Sequence, residues 1–172
     1  MDIKELLGNK EIKGKEKTET LSAWLLNKTI TVDELITVAQ TAKDPAKATC
    51  IEAIEFATKQ IPAIANEKTL IFVTQALSEK APRIKWESAK VVGNIAHLFP
   101  SKLDNAVNSL IVNTEHTGTV VRWSAAYALG EILKIDTILN KTLLPTVAAI
   151  AEREEKNSIK KIYQAAIKHI KK

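Results

Sequence analysis

The chain repeats itself. Lys85-Trp86-Glu87-Ser88-Ala89-Lys90-Val91-Val92-Gly93-Asn94-Ile95 returns 37 residues later as Arg122-Trp123-Ser124-Ala125-Ala126-Tyr127-Ala128-Leu129-Gly130-Glu131-Ile132. A self-match at this period marks an array in which each unit buries its apolar face against its neighbours. Within the second copy, Val121, Ala125, Ala128, Leu129 and Ile132 are spaced by three or four, which places them on one face of an α-helix. The repeated unit is therefore helical. Five Gly, five Pro and 45% hydrophobic residues rich in Ala, Ile and Leu agree with an all-α class.

Helix signals recur along the chain. Thr31 with Glu34 reads as a capping box, and Leu35, Val38, Ala39 and Ala42 follow on one face. Asp44-Pro45 stops that helix and starts another, in which Cys50 or Ile51, Ala53, Ile54 and Ala57 turn inward. Ile61-Pro62 breaks it, and Asn66 to Leu77 forms the next. The Trp86 helix starts at Ala81-Pro82 and runs to about Phe99; Ser101 and Asp104 cap its successor. Beyond the Trp123 helix come Leu143 to Ala151, with Pro145 in its first turn or as a kink, and a last helix capped by Asn157. Shifting the Trp86 helix back by 36 sets Ala89 on Ala53 and Gly93 on Ala57. The last helix matches less well, as a terminal repeat should when its outer side has no neighbour. Residues 1–20 carry five Lys and five acids with little apolar content, and read as a charged N-terminal arm before a single domain over 21–172.

These residues resemble a known family. Val121-Arg122 followed by Ala125, Ala126, Ala128, Leu129-Gly130 and Ile132 resembles the second helix of a HEAT repeat. Leu143-Leu144-Pro145 with Val147 and Ile150 is similar to the first. The resemblance covers roughly residues 31–172. It implies a right-handed α-solenoid of the armadillo type, with about four helix pairs and an N-terminal cap helix, first helices convex and second helices concave. It also implies that the basic position of Lys85 and Arg122 is a structural ladder tying neighbouring repeats together.

Chemistry is sparse. His97, His116 and His169 fall in three different repeats, without metal-ligand spacing, a phosphate loop or a nucleophile motif, so neither an enzyme nor a cofactor is expected. The lone Cys50 reads as a small buried residue. No uncharged run approaches a membrane span and no signal peptide is evident, so a soluble, cytoplasmic protein is expected. The net charge of +5 is concentrated in residues 152–172, where seven basic residues face three acids.

The informative pattern is the stripe left over once the apolar positions face the core. Trp123, Tyr127 and Glu131 form it in one repeat, and Trp86, Lys90 and Asn94 in the other. Placed on the concave face, the two tryptophans are either an anchor pair for a partner or packing between repeats. The expected function is a binding and scaffold module that lays a protein or peptide segment in its groove. The alternatives are a nucleic-acid binder similar to the HEAT-like DNA glycosylases, or a HEAT-class lyase. Against the glycosylases, the positions four after each Trp hold Lys90 and Tyr127, not a carboxylate.

Overall fold

The computed structural model describes residues 1–171, and among these the regular structure is entirely helical. Ten α-helices follow one another: α1 Ile3–Gly8, α2 Gly14–Leu26, α3 Val32–Thr41, α4 Asp44–Gln60, α5 Glu67–Ala76, α6 Pro82–Ile95, α7 Asp104–Asn113, α8 Thr119–Leu133, α9 Asn140–Arg153 and α10 Asn157–Ile170. They pair as α3/α4, α5/α6, α7/α8 and α9/α10, preceded by α1/α2. No described helix is long and apolar enough to cross a membrane.

The stack curves for a simple reason. Successive second helices, α2 to α4 to α6 to α8 to α10, touch along their lengths, whereas successive first helices meet only locally. Small residues allow the closer approach. A Cβ built on Gly93 of α6 would fall 2.5 Å from Tyr127 Cε1 of α8, so that ring lies in space only glycine leaves open. Gly130 faces α10 from the same place, where a Cβ would meet Ala166 Cβ at 3.4 Å, an ordinary van der Waals contact. The tighter row must be the inner one, so the second helices line the concave side.

One core runs the length of the stack. Val121, Ala125, Ala128, Leu129 and Ile132 are buried, as their spacing predicts, and so are Cys50, Ile51, Ala53, Ile54 and Ala57 of α4. Burial pushes the Cys50 thiol up to about 12, so it stays protonated.

The N-terminus differs from expectation. Residues 1–20 are not a loose arm: α1 forms on a capping box between Asp2 and Glu5, and α2 starts at Gly14, crossing the expected boundary at residue 20. Ile3, Leu6 and Thr18 are buried, and the Lys17 ammonium donates to the Leu7 carbonyl at 2.7 Å. Two buried apolar residues in this stretch suffice because α2 needs only one buried edge, and its Lys and Glu are good helix formers with Lys15 and Glu19 one turn apart.

Several ends also shift. The Trp86 helix stops at Ile95 and continues as a 3₁₀ turn through Leu98; Asn157 and Asp104 lie inside their helices, with no side chain capping either. Pro145 sits well within α9, which begins three residues earlier than expected. α2 and α8 are closed by Lys28 and Asp136 in the left-handed region, at φ 64° and 58°.

Ala126 is fully buried on α8, whereas Glu131 holds only a half-exposed pair with Lys134 at 2.8 Å. Ala126→Leu should therefore cost roughly 1–3 kcal/mol in denaturant unfolding, and Glu131→Ala less than about 0.5. Equal costs would contradict this packing.

Candidate functional site

The ladder expected at Lys85 and Arg122 extends over the whole inner row. The fourth residue of every second helix is basic: Lys17, Lys47, Lys85, Arg122 and Lys160. Each of the first four reaches back to a carbonyl at the end of its own first helix or forward to the end of the next. Lys85 Nζ donates to Leu77 O at 3.1 Å and lies 3.4 Å from Asn113 Oδ1, while Asn113 Nδ2 donates to the same carbonyl. Arg122 donates to His116 O and Thr117 O and pairs with the buried Glu154 through Nε at 3.2 Å. Lys47 pairs with Glu79. These contacts join repeats.

The stripe beside the ladder carries the candidate partner residues, and the structure divides it. Trp123 is 39% exposed and stacks on Tyr127 with ring centroids 6.0 Å apart and planes 10° from parallel. Val120, one turn earlier, is 51% exposed, so α8 offers a small apolar shelf to solvent. The α6 half is tied down. The half-buried Trp86 donates Nε1–H to Glu87 Oε1 at 2.9 Å. Lys90 lies 3.1 Å from Glu87 Oε2 and 3.9 Å from Glu55 Oε2, a charge between two buried carboxylates. Glu87 Oε2 is buried without a hydrogen bond, so the neighbouring Lys90 ammonium offsets its charge.

Asn94 corrects the sequence reading. At 8% exposure it is not a groove residue: Nδ2 donates to Glu55 O and Thr58 Oγ1, both at 3.2 Å, and Oδ1 accepts from the Tyr127 hydroxyl at 2.6 Å. The amide thus spans three inner helices. Helical phase alone placed it on the concave side, and it does lie there, but Tyr127 leans over Gly93 and covers it. Burial, then Glu131 and Glu55, push the Tyr127 hydroxyl up to about 12, so it stays a donor.

Sequence reasoning missed the inner-face acids. Glu52 accepts from Arg83 at 2.6 Å and from Thr18 at 2.9 Å, linking α2, α4 and α6. Glu55 is raised above the ordinary carboxylate range by burial, against the pull of Lys90 and with repulsion from Glu87. Their signal was present in the i, i+3 spacing of Glu52 and Glu55 within the apolar run from Cys50 to Ala57. Further clefts lie elsewhere. One of about 660 Å³ is lined by Met1, Ile3, Trp24, Ile30 and Val38, and one of about 290 Å³ by His116, Arg122, Arg153 and Glu154.

A carboxyl whose folded pKa is raised adds stability below its unfolded value, near 4.5, and loses it as pH rises through the folded pKa. Glu55→Gln should therefore raise the melting temperature near pH 7, and the gain should vanish near pH 4. A gain unchanged by pH would show that ionisation of Glu55 plays no part.

No protein-family model matches the sequence, and no curated protein does. Solved structures match it closely in shape. A designed armadillo repeat protein in complex with the peptide (KR)4 superposes with a TM-score of 0.75 at 15% identity, covering 98% of this chain and 80% of that one. A computationally designed armadillo repeat protein for modular peptide recognition gives 0.75 at 15%, covering 97% and 80%. The complex of CpcE and CpcF of phycocyanin lyase from Nostoc sp. PCC7120 gives 0.72 at 17%, covering 95% of this chain and 96% of that one. At these identities the likeness is one of fold, and the fold of this chain is that of an armadillo/HEAT-like α-solenoid.

Proposed function

We propose that the protein is a non-catalytic, cytoplasmic binding module that holds a segment of a partner protein on its inner face. The observation that carries this reading is the open shelf of Trp123 and Val120 on a rigid row of helices. Large aromatics left exposed on a scaffold are disproportionately the residues that anchor partners. Stacking on Tyr127, itself locked to Asn94, holds the indole in place before binding and lowers the entropy cost of using it. Support from likeness is indirect: the matching designed armadillo proteins are described as peptide binders.

The two tryptophans divide the labour in this reading. Trp86, half-buried and bonded to Glu87, braces the inner face, and Trp123 meets the partner. Trp123→Ala should leave the melting temperature nearly unchanged and weaken a partner by roughly 2 kcal/mol or more, whereas Trp86→Ala should cost stability. Photo-crosslinking in cells tests the surface directly, with the reactive amino acid at position 123 and, as control, at the exposed Val112 of α7. A protein adduct at 123 and none at 112 is expected. Adducts at both positions, or none at 123, would refute the groove reading.

A further inference from the structure

Resting on that reading, we infer that the segment held on the inner face is acidic, with an apolar residue on the Trp123 shelf and carboxylates on the lysines of α10. The argument is one of position along equivalent helices. Trp86 and Trp123 are the fifth residues of α6 and α8; the fifth residue of α10 is Lys161. The aromatic row of the inner face thus continues, one repeat on, as an exposed cation about 10 Å further along.

The rest of α10 extends this field. Ile159, Tyr163 and Ala166 are buried, and Gly130 of α8 faces Ala166 and Ile162. Lys160, Gln164, Lys168 and Lys171 then fall in a stripe on the side turned away from α8, with Lys161 at its inner edge. No acid occurs in residues 157–171, and among the described residues none of these lysines has an ion pair. Lys160 is the fourth-position cation of its helix. The corresponding Lys47 and Arg122 each meet a carboxylate from the next first helix, Glu79 and Glu154; Lys160 meets none. A partner carboxylate there would occupy the place that Glu79 and Glu154 fill.

Elsewhere the inner face is already neutralised. Arg83 is paired with Glu52, Lys90 with Glu55 and Glu87, and Lys134 with Glu131. A polyphosphate tracking the row would run from the free lysines into those four carboxylates, and a basic segment would meet the lysines. A short acidic segment anchored on Trp123 avoids both conflicts.

The test uses the full chain and three fluorescein-labelled probes: a Glu-rich peptide of about twelve residues with a central Leu-Phe pair, its Lys-for-Glu counterpart, and an oligo-dT of similar length. Anisotropy near physiological salt should show the acidic peptide binding at least roughly tenfold tighter than either other probe. The double variant Lys161→Glu/Lys168→Glu should weaken it by about tenfold or more, and Trp123→Ala likewise. Lys141→Glu on α9, the same kind of charge change on an exposed residue outside the inner row, should shift affinity by less than about twofold. Circular dichroism melting checks that each variant folds. Tighter binding of oligo-dT, or indifference to Lys161→Glu/Lys168→Glu, overturns the inference. Preference for the basic peptide with dependence on Trp123 overturns it while sparing the groove; no binding by any probe overturns both.

Discussion

Everything on the inner face depends on how closely the second helices approach one another. Glycine in the middle of a helix costs about 1 kcal/mol relative to alanine, so its presence needs a packing reason. Gly93 and Gly130 are the twelfth residues of α6 and α8, the same place in successive repeats, and each faces the next inner helix. One admits an aromatic ring and the other a methyl group. In α4 the same place holds Glu55, which meets Lys90 across the helix pair, and in α10 it holds Lys168, which faces no following inner helix. A single structural position thus passes from charge to glycine to glycine to charge along the stack.

Close packing of helices also explains how so many polar groups come to be buried with partners. The ladder cations of α2 and α6 reach carbonyls that end their first helices, groups that α-helical geometry leaves without partners, and Arg122 reaches carbonyls of the turn before α8. Asn94 ties the middle of the row by donating to the mid-helix Glu55 carbonyl and to the Thr58 hydroxyl. Buried charge is costly unless paired, and here each buried carboxylate of the inner face has a cation from the neighbouring repeat or the same helix. Apolar burial sets the stack, and these bonds set its spacing.

How much of this was legible follows from what a period can report. The 37-residue self-match and the three-four spacing carried the fold and the inward residues of α4 and α8, whereas the ladder role of Lys85 and Arg122 came only from the resemblance to HEAT repeats. A period reports direction from a helix axis, not how far a neighbour's side chain extends. Asn94 points to the concave side yet is sealed by Tyr127, and Trp86 and Trp123 share a phase but not an exposure. The glycines were the available clue, since a helix reading has no other use for Gly93. The short α1 and the start of α2 escaped because so few apolar residues mark them. Besides Ile3 and Leu6, they are held by Lys and Thr side chains that bond across helices, Lys17 to Leu7 and Thr18 to Glu52.

Rigidity and openness are therefore distributed unequally along one surface, and this inequality has functional weight. Between α2 and α6 the inner face is a closed network in which carboxylates and cations satisfy one another, so a partner there would have to break existing pairs before making new ones. From α8 onward the inner face offers a braced indole, an exposed valine and, on α10, lysines that have no ion pair among the described residues. A ligand gains most where the host has least to give up. The network of the first half serves as the frame that holds Tyr127, and through it Trp123, in a fixed orientation. On the proposed reading, binding at the α8–α10 end uses stability built at the α4–α6 end, without any conformational change being required to connect them.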